Sequence, residues 1–162
     1  MKNILDAGPL IAALNRRDVH HQWARETLKR LGPPFFSCAE AITEAAAMTG
    51  QPAAIVEMVR AEEIILAFDL SAQSDAVLAL LKKYGDQEMD LADACIVRMS
   101  ELMRDCQVIT LDRDDFAAYR RNGRLYSSDC SPRASSGGIR AALKRSTLMT
   151  RLASKRVARR EP

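Results

Sequence analysis

No run of 18 consecutive apolar residues occurs among the 162 residues of the chain. A membrane-spanning helix is therefore not expected. The first 14 residues carry Asp6 and lack a basic lead-in followed by a long apolar stretch, so no secretory leader is expected and a cytoplasmic location is. Cysteine is sparse and unpaired in sequence: Cys38, Cys95, Cys106 and Cys130 form no CxxC pair. The first three sit in largely apolar stretches and read as reduced core thiols of a cytosolic protein. The phosphate loop GxxxxGK[ST] is missing, which argues against P-loop nucleotide hydrolysis. Residues 6–8 read Asp-Ala-Gly rather than the DxD of a phosphohydrolase nucleophile, and no lysine stands out after a late strand, as a phospho-receiver would need. Internal repeats are absent.

What is present is a chain long enough to bury a core without staples, with 48% hydrophobic residues. One domain is the default. The net charge of +3 is unevenly spread. Residues 1–126 hold 15 Lys+Arg against 19 Asp+Glu, a net −4, and residues 127–162 hold 9 against 2, a net +7. An acidic body, 1–126, thus carries a basic tail, 127–162. The tail opens on SSDCSPRASSGG, which cannot bury much and reads as a Ser/Gly-rich linker. The rest is expected to be disordered or a loose basic amphipathic helix.

Within the body, strand-like and helix-like stretches alternate. Met1 to Leu5 reads as a buried strand ending at Asp6. Gly8-Pro9 breaks it, and LIAALN follows as a short helix. Asp18 is a candidate cap for VHHQWARETLKRL, with Val19, Trp23, Thr27, Leu28 and Leu31 on one face. Phe35-Phe36 reads as a brief strand, and Ser37 as the cap of an Ala-rich helix closed by Gly50. A helix over 52–60, the strand EIILAFDL and a helix capped by Ser71 and ended by Gly85 come next. MDLADACIVRMSELMRD follows the i, i+3, i+4, i+7 template on Leu91, Ala92, Cys95, Ile96, Met99, Leu102 and Met103. QVITLD is the next strand and DDFAAYRR a short helix. This alternation predicts a parallel sheet covered on both faces.

Two strand-like runs end on carboxylates, Asp6 and Asp112. Ligands bind outside the carboxyl ends of parallel strands, so both acids are candidates for a site at that edge. Glu40 and Glu44 stand at i and i+4 on one helix face. Asp90 and Asp93 stand near a helix N-terminus, where the dipole favours negative charge; Asp114 and Asp115 share that advantage after the last strand. Capping is the simpler role for Asp90, and solvent for Glu40. Asp93 is harder to assign to solvent, because its neighbours in LADAC are small and apolar. Converging carboxylates repel by about 4 kcal/mol at ~4 Å and an effective dielectric of ~20. Either one takes a proton or a divalent cation sits between them. An oxygen-only set suits Mg²⁺ or Mn²⁺, and such ions activate water and clamp phosphates.

The segments LDAGPLIAALNRRDVHH, TEAAA, MDLADACIV and ITLDRDDFAAYR, in this order and spacing, resemble PIN-domain proteins, and more narrowly the VapC-type toxins of bacterial toxin–antitoxin pairs. The resemblance covers residues 1 to about 124. It implies an α/β fold, a three-layer α/β/α sandwich with a central parallel sheet, here with an atypical basic C-terminal tail. It implies a metal-dependent endoribonuclease using Mg²⁺ or Mn²⁺, with an RNA substrate, a small antitoxin protein as partner, a homodimeric state and no membrane. Carried over motif by motif, its metal-binding and catalytic acids fall on Asp6, Glu44, Asp93 and Asp112. Asp115 is implied as an assistant and Thr110 as an orienting hydroxyl. Arg16, Arg17 and Arg113 are candidates for phosphate contacts. His20 and His21 are expected to serve packing and solvent rather than acid–base work. The alternative reading is a PIN-like module that binds RNA or protein without cutting. The resemblance fails after Arg124, where LYSSDCSPRASSGG replaces an apolar final strand, so an edge strand is expected to be missing or remade.

Overall fold

The computed structural model describes residues 1–112, Phe116 and the backbone of Ser128–Cys130. Five strands form one parallel sheet: β1 (Lys2–Leu5), β2 (Phe35–Ser37), β3 (Ile64–Leu66), β4 (Cys106–Thr110) and β5 (Ser128–Cys130). Their order across the sheet is β3-β2-β1-β4-β5, which puts the first strand at the centre. β1 pairs with β4 from Lys2↔Cys106 to Leu5↔Ile109, and with β2 at Asn3↔Phe35 and Ile4↔Phe36. Among the described residues six helices connect and cover the strands: α1 (Ala7–Leu14), α2 (His21–Leu31), α3 (Ala39–Thr49), α4 (Pro52–Arg60), α5 (Leu70–Lys83) and α6 (Leu91–Leu102).

Successive side chains of a strand point to opposite faces. Ile4 and Leu5 are nonetheless both buried, as are Val108, Ile109 and Thr110. Both faces of the central strands are therefore covered, and the fold is a three-layer α/β/α sandwich. Such strands need near-continuous apolar runs, and NIL and VIT supply them. VIT consists wholly of the β-branched residues that suit a pleated surface, and NIL contributes Ile4. α1 packs against α2 and α3, and α6 against α3, α5 and β4. The core collects Ile4, Leu5, Leu10, Ile96, Met99, Val108, Ile109 and Phe116.

Several local expectations are corrected. Asp18 does not cap α2; the cap position is His20, whose N–H donates to Asp18 Oδ1 at 2.8 Å. Val19 stands outside the helix and is 86% exposed. Ser37 does not cap α3 either. Its hydroxyl donates to the Leu5 carbonyl at 2.8 Å, stitching β2 to β1, and Cys38 takes the cap position. α5 is capped by Asp69, whose Oδ1 accepts from the N–H groups of Ser71 and Ala72. α5 ends at Lys83, and Gly85 lies in a separate 3₁₀ turn, Gly85–Gln87. The strand expected over EIILAFDL is only three residues long. Gly50 does close α3, in the left-handed conformation at φ 65° that glycine adopts without penalty. Leu91 and Leu102, expected on the apolar face of α6, are 43% and 50% exposed; Ala92, Cys95, Ile96 and Met99 are buried.

β5 falls within the Ser-rich segment that replaces the expected apolar strand. It extends the sheet beside β4, in register from Val108↔Ser128 to Thr110↔Cys130. Among the described residues no helix is long and apolar enough to cross a membrane. Most of DDFAAYRR and of the tail 127–162 lies outside the described residues.

Candidate active site

β1 and β4 are neighbours, so the two strand-ending acids meet at one edge. Asp6 leaves β1 in extended backbone and caps α1, its Oδ1 accepting from the Ala7 N–H at 2.7 Å. Its other oxygen, Oδ2, accepts from the Thr110 hydroxyl at 2.8 Å. The same hydroxyl oxygen accepts from the Asp112 N–H at 3.0 Å. Thr110 is fully buried and Asp6 is 8% exposed. Thr110, 104 residues from Asp6 in sequence, thus ties Asp6 to the backbone of Asp112. The first turn of α1 lies close to this corner: a Cβ at Gly8 would stand 3.4 Å from the Leu111 Cβ, an ordinary van der Waals contact. The Asp112 carbonyl accepts from the Phe116 N–H at 3.1 Å, and the buried Phe116 ring anchors the exit from β4.

Asp93 lies in the first turn of α6 and is 6% exposed. Asp90 and Asp93 form a reciprocal capping box: Asp90 Oδ1 accepts from the Asp93 N–H at 2.8 Å, and Asp93 Oδ2 accepts from the Asp90 N–H at 3.3 Å. Glu44 lies half-buried in the middle of α3, the helix that packs against both α1 and α6. Glu40, one turn earlier and expected in solvent, is half-buried, and its Oε2 is enclosed with no hydrogen-bond partner among the described residues. His21 Nδ1 stands 2.8 Å from the Ala12 carbonyl, a packing role that fits its expected reading. Arg16 and Arg17 are exposed after α1. Arg113, Asp114 and Asp115 lie outside the described residues.

The cysteines of this region are core thiols. Cys38 opens α3 and Cys95 follows Asp93 by two residues; both are fully buried and, like Cys106, unlinked. A hydrogen bond with Cys95, and then burial, push the Cys38 thiol well above its ordinary pKa. Cys38 therefore lacks the depressed pKa of a reactive thiol.

The donors at this edge are carboxylate and hydroxyl oxygens, which suit a hard cation. Among the described residues no three His, Cys, Asp or Glu side chains form a group able to hold a metal ion. A site that encloses an ion by protein ligands alone is therefore not formed by these residues. Mg²⁺ commonly takes one or two carboxylates and fills its shell with waters and substrate phosphates. Asp6 and Asp93 are each buried carboxylates of the kind that pattern uses.

A buried carboxylate, Asp6, and a half-buried one, Asp112, thus stand at the carboxyl ends of two neighbouring strands of a parallel α/β/α sheet. The model of the PIN domain family matches residues 4–122, and the chain belongs to that family. Its members are commonly metal-dependent nucleases that use a divalent metal. No curated protein matches the chain.

Proposed function

We propose that this protein is a metal-dependent endoribonuclease, the VapC-type toxin of a type II toxin–antitoxin pair, that hydrolyses RNA phosphodiester bonds with Mg²⁺ or Mn²⁺. The observation that carries the reading is the Asp6–Thr110–Asp112 linkage at the carboxyl edge of the sheet. It holds a buried carboxylate in a fixed orientation at that edge. In this reading Asp6 and Asp93 hold the ion, and Glu44 and Asp112 complete its surroundings. When bound, such an ion lowers the pKa of a water and offsets charge on the phosphate. Thr110 keeps Asp6 oriented. The exposed Arg16 and Arg17 offer charge to flanking phosphates.

A small antitoxin is the proposed partner, and a homodimer the proposed state. Val56 of α4 and Leu78 of α5, 63% and 49% exposed, supply apolar surface for such contacts. Unlinked thiols at Cys38, Cys95 and Cys106 support a reducing, cytoplasmic setting.

The test is cleavage of a defined RNA panel under metal titration, beside Asp6→Asn and Asp93→Asn. Each substitution should lower the rate by more than about 100-fold, beyond the 10–100-fold usual for outer-shell partners, and chelation should stop cleavage. Cleavage that persists in both variants, or that ignores the chelator, discards the reading. A second reading, a PIN-like module that binds RNA or protein without cutting, is favoured by the absence of a ready three-ligand group among the described residues. Retained RNA binding with no cleavage at any metal concentration would establish it.

A further inference from the structure

We propose that residues 132–162 are an RNA-binding arm rooted at the carboxyl edge of the sheet; the proposal rests on RNA being the substrate, as read above. The charge of the molecule is divided between body and tail. Residues 1–112 hold 11 Lys+Arg against 17 Asp+Glu, a net −6. Two of those bases are engaged by neighbouring acids, Arg60 by Glu57 and Arg98 by Glu101. The carboxyl edge itself carries Asp6 and Asp112. RNA brings one negative charge with each nucleotide, so the body and this edge repel it as it approaches. Residues 132–162 reverse the balance, with nine Lys+Arg against the single acid Glu161, a net +8. From Arg140 to Arg160, eight of 21 residues are basic and none is acidic.

β5 decides where this charge is attached. It runs parallel to β4, and its last residue, Cys130, pairs with Thr110, whose hydroxyl bonds Asp6. Neighbouring strands lie about 4.8 Å apart, so the chain leaves the sheet beside the Asp6–Thr110–Asp112 corner and at the same edge. Pro132 follows two residues later. An arm rooted there raises the local concentration of any strand it holds. Its composition also sets the mode of binding. Residues 132–162 contain no Phe, Trp or Tyr. Bases therefore find no aromatic ring to stack on, and the aromatic anchors common in membrane-surface helices are missing. What remains is contact between Lys or Arg and phosphate, which positions a strand without reading its sequence. The arm supplies affinity, and any choice of sequence is left to the body.

The experiment measures binding of the full chain to a labelled single-stranded RNA of mixed sequence by fluorescence anisotropy, across a KCl titration and with chelator present so that nothing is cut. Three variants accompany the wild type. The arm variant combines Arg140→Gln, Lys144→Gln, Arg145→Gln and Arg151→Gln. A charge-keeping variant combines Arg140→Lys, Arg145→Lys and Arg151→Lys. A body variant combines Arg25→Gln, Lys29→Gln, Lys82→Gln and Arg104→Gln, four exposed positions. Each phosphate contact on a single strand contributes about −0.7 to the slope of log K against log salt. The arm variant should therefore flatten the slope by about 2 to 3 and weaken binding about 100-fold at about 0.1 M KCl. The charge-keeping and body variants should stay within about 3-fold of wild type. An arm variant that binds RNA like the wild type overturns the proposal. So does a body variant that loses as much, because net charge then explains the effect without an arm. Phosphatidylglycerol vesicles that displace RNA from the wild type at equal charge, and bind the arm variant weakly, assign the tail to a membrane surface and also overturn it. The ribonuclease reading fails separately: no cleavage at any Mg²⁺ or Mn²⁺ concentration, with arm-dependent binding intact, removes the nuclease and leaves the arm standing.

Discussion

Thr110 shows how much one side chain can join. Its hydroxyl donates to Asp6 and accepts from the Asp112 backbone while fully enclosed. Thr110→Val keeps the shape and removes both bonds. A buried acceptor and a backbone donor are then left short of partners, at a cost of about 1–3 kcal/mol each way of counting. Urea denaturation should read that loss directly. If the proposed centre is correct, cleavage should fall roughly 10- to 100-fold, and Thr110→Ser should recover most of both. Retained stability in Thr110→Val would show that the hydrogen bonds contribute little. At this scale the sequence was partly legible. Asp6, Asp93 and Asp112 stand out because an acid amid apolar neighbours is costly unless something offsets it. The enclosed oxygen of Glu40 was not legible, because an acid in the first turn of a helix ordinarily faces water.

At the scale of the element, the helices themselves were readable and their caps were not. Three caps assigned to Asp18, Ser37 and Ser71 belong to His20, Cys38 and Asp69. Capping depends on backbone dihedrals one or two residues before the helix, and several nearby oxygens can serve. Ser37 was diverted by a carbonyl of the neighbouring strand, a partner 32 residues away. The assignment of α5 can be checked in one pair of substitutions. Asp69→Ala should cost about 1 kcal/mol, whereas Ser71→Ala, on the exposed first turn, should stay within about 0.5 kcal/mol of wild type. Thermal melts of both variants decide it. Equal losses would mean that the Asp69 cap does not carry the helix start. Elsewhere strands shrank: EIILAFDL contributes three residues to β3. Hydrophobicity alone cannot say where a ladder ends, because residues beyond a strand can be buried without pairing.

At the scale of the molecule, alternating strands and helices made a parallel sheet legible, with Asp6 and Asp112 at its carboxyl edge. β5 was not legible. Its three residues, Ser-Asp-Cys, carry no apolar pattern, and pairing with β4 is a backbone matter that side-chain periodicity does not record. A truncation series follows from this. Stopping after Ser131 keeps the compact unit Met1–Ser131 and should leave the melting temperature within about 2 °C. Stopping after Arg124 removes β5, uncovers the outer edge of β4 at Val108–Thr110, and should lower it by about 4 °C or more. Equal melting temperatures for the two truncations would mean that β5 contributes nothing to the sheet.

The strand order has a consequence for synthesis. β1 leaves the ribosome first yet occupies the middle of the sheet, and its partner β4 begins at Cys106. A nascent chain therefore holds half of the Asp6–Thr110 corner early and cannot close it until more than a hundred residues have been translated. Under the proposed ribonuclease reading, an unfinished polypeptide would stay inactive until β4 has joined β1.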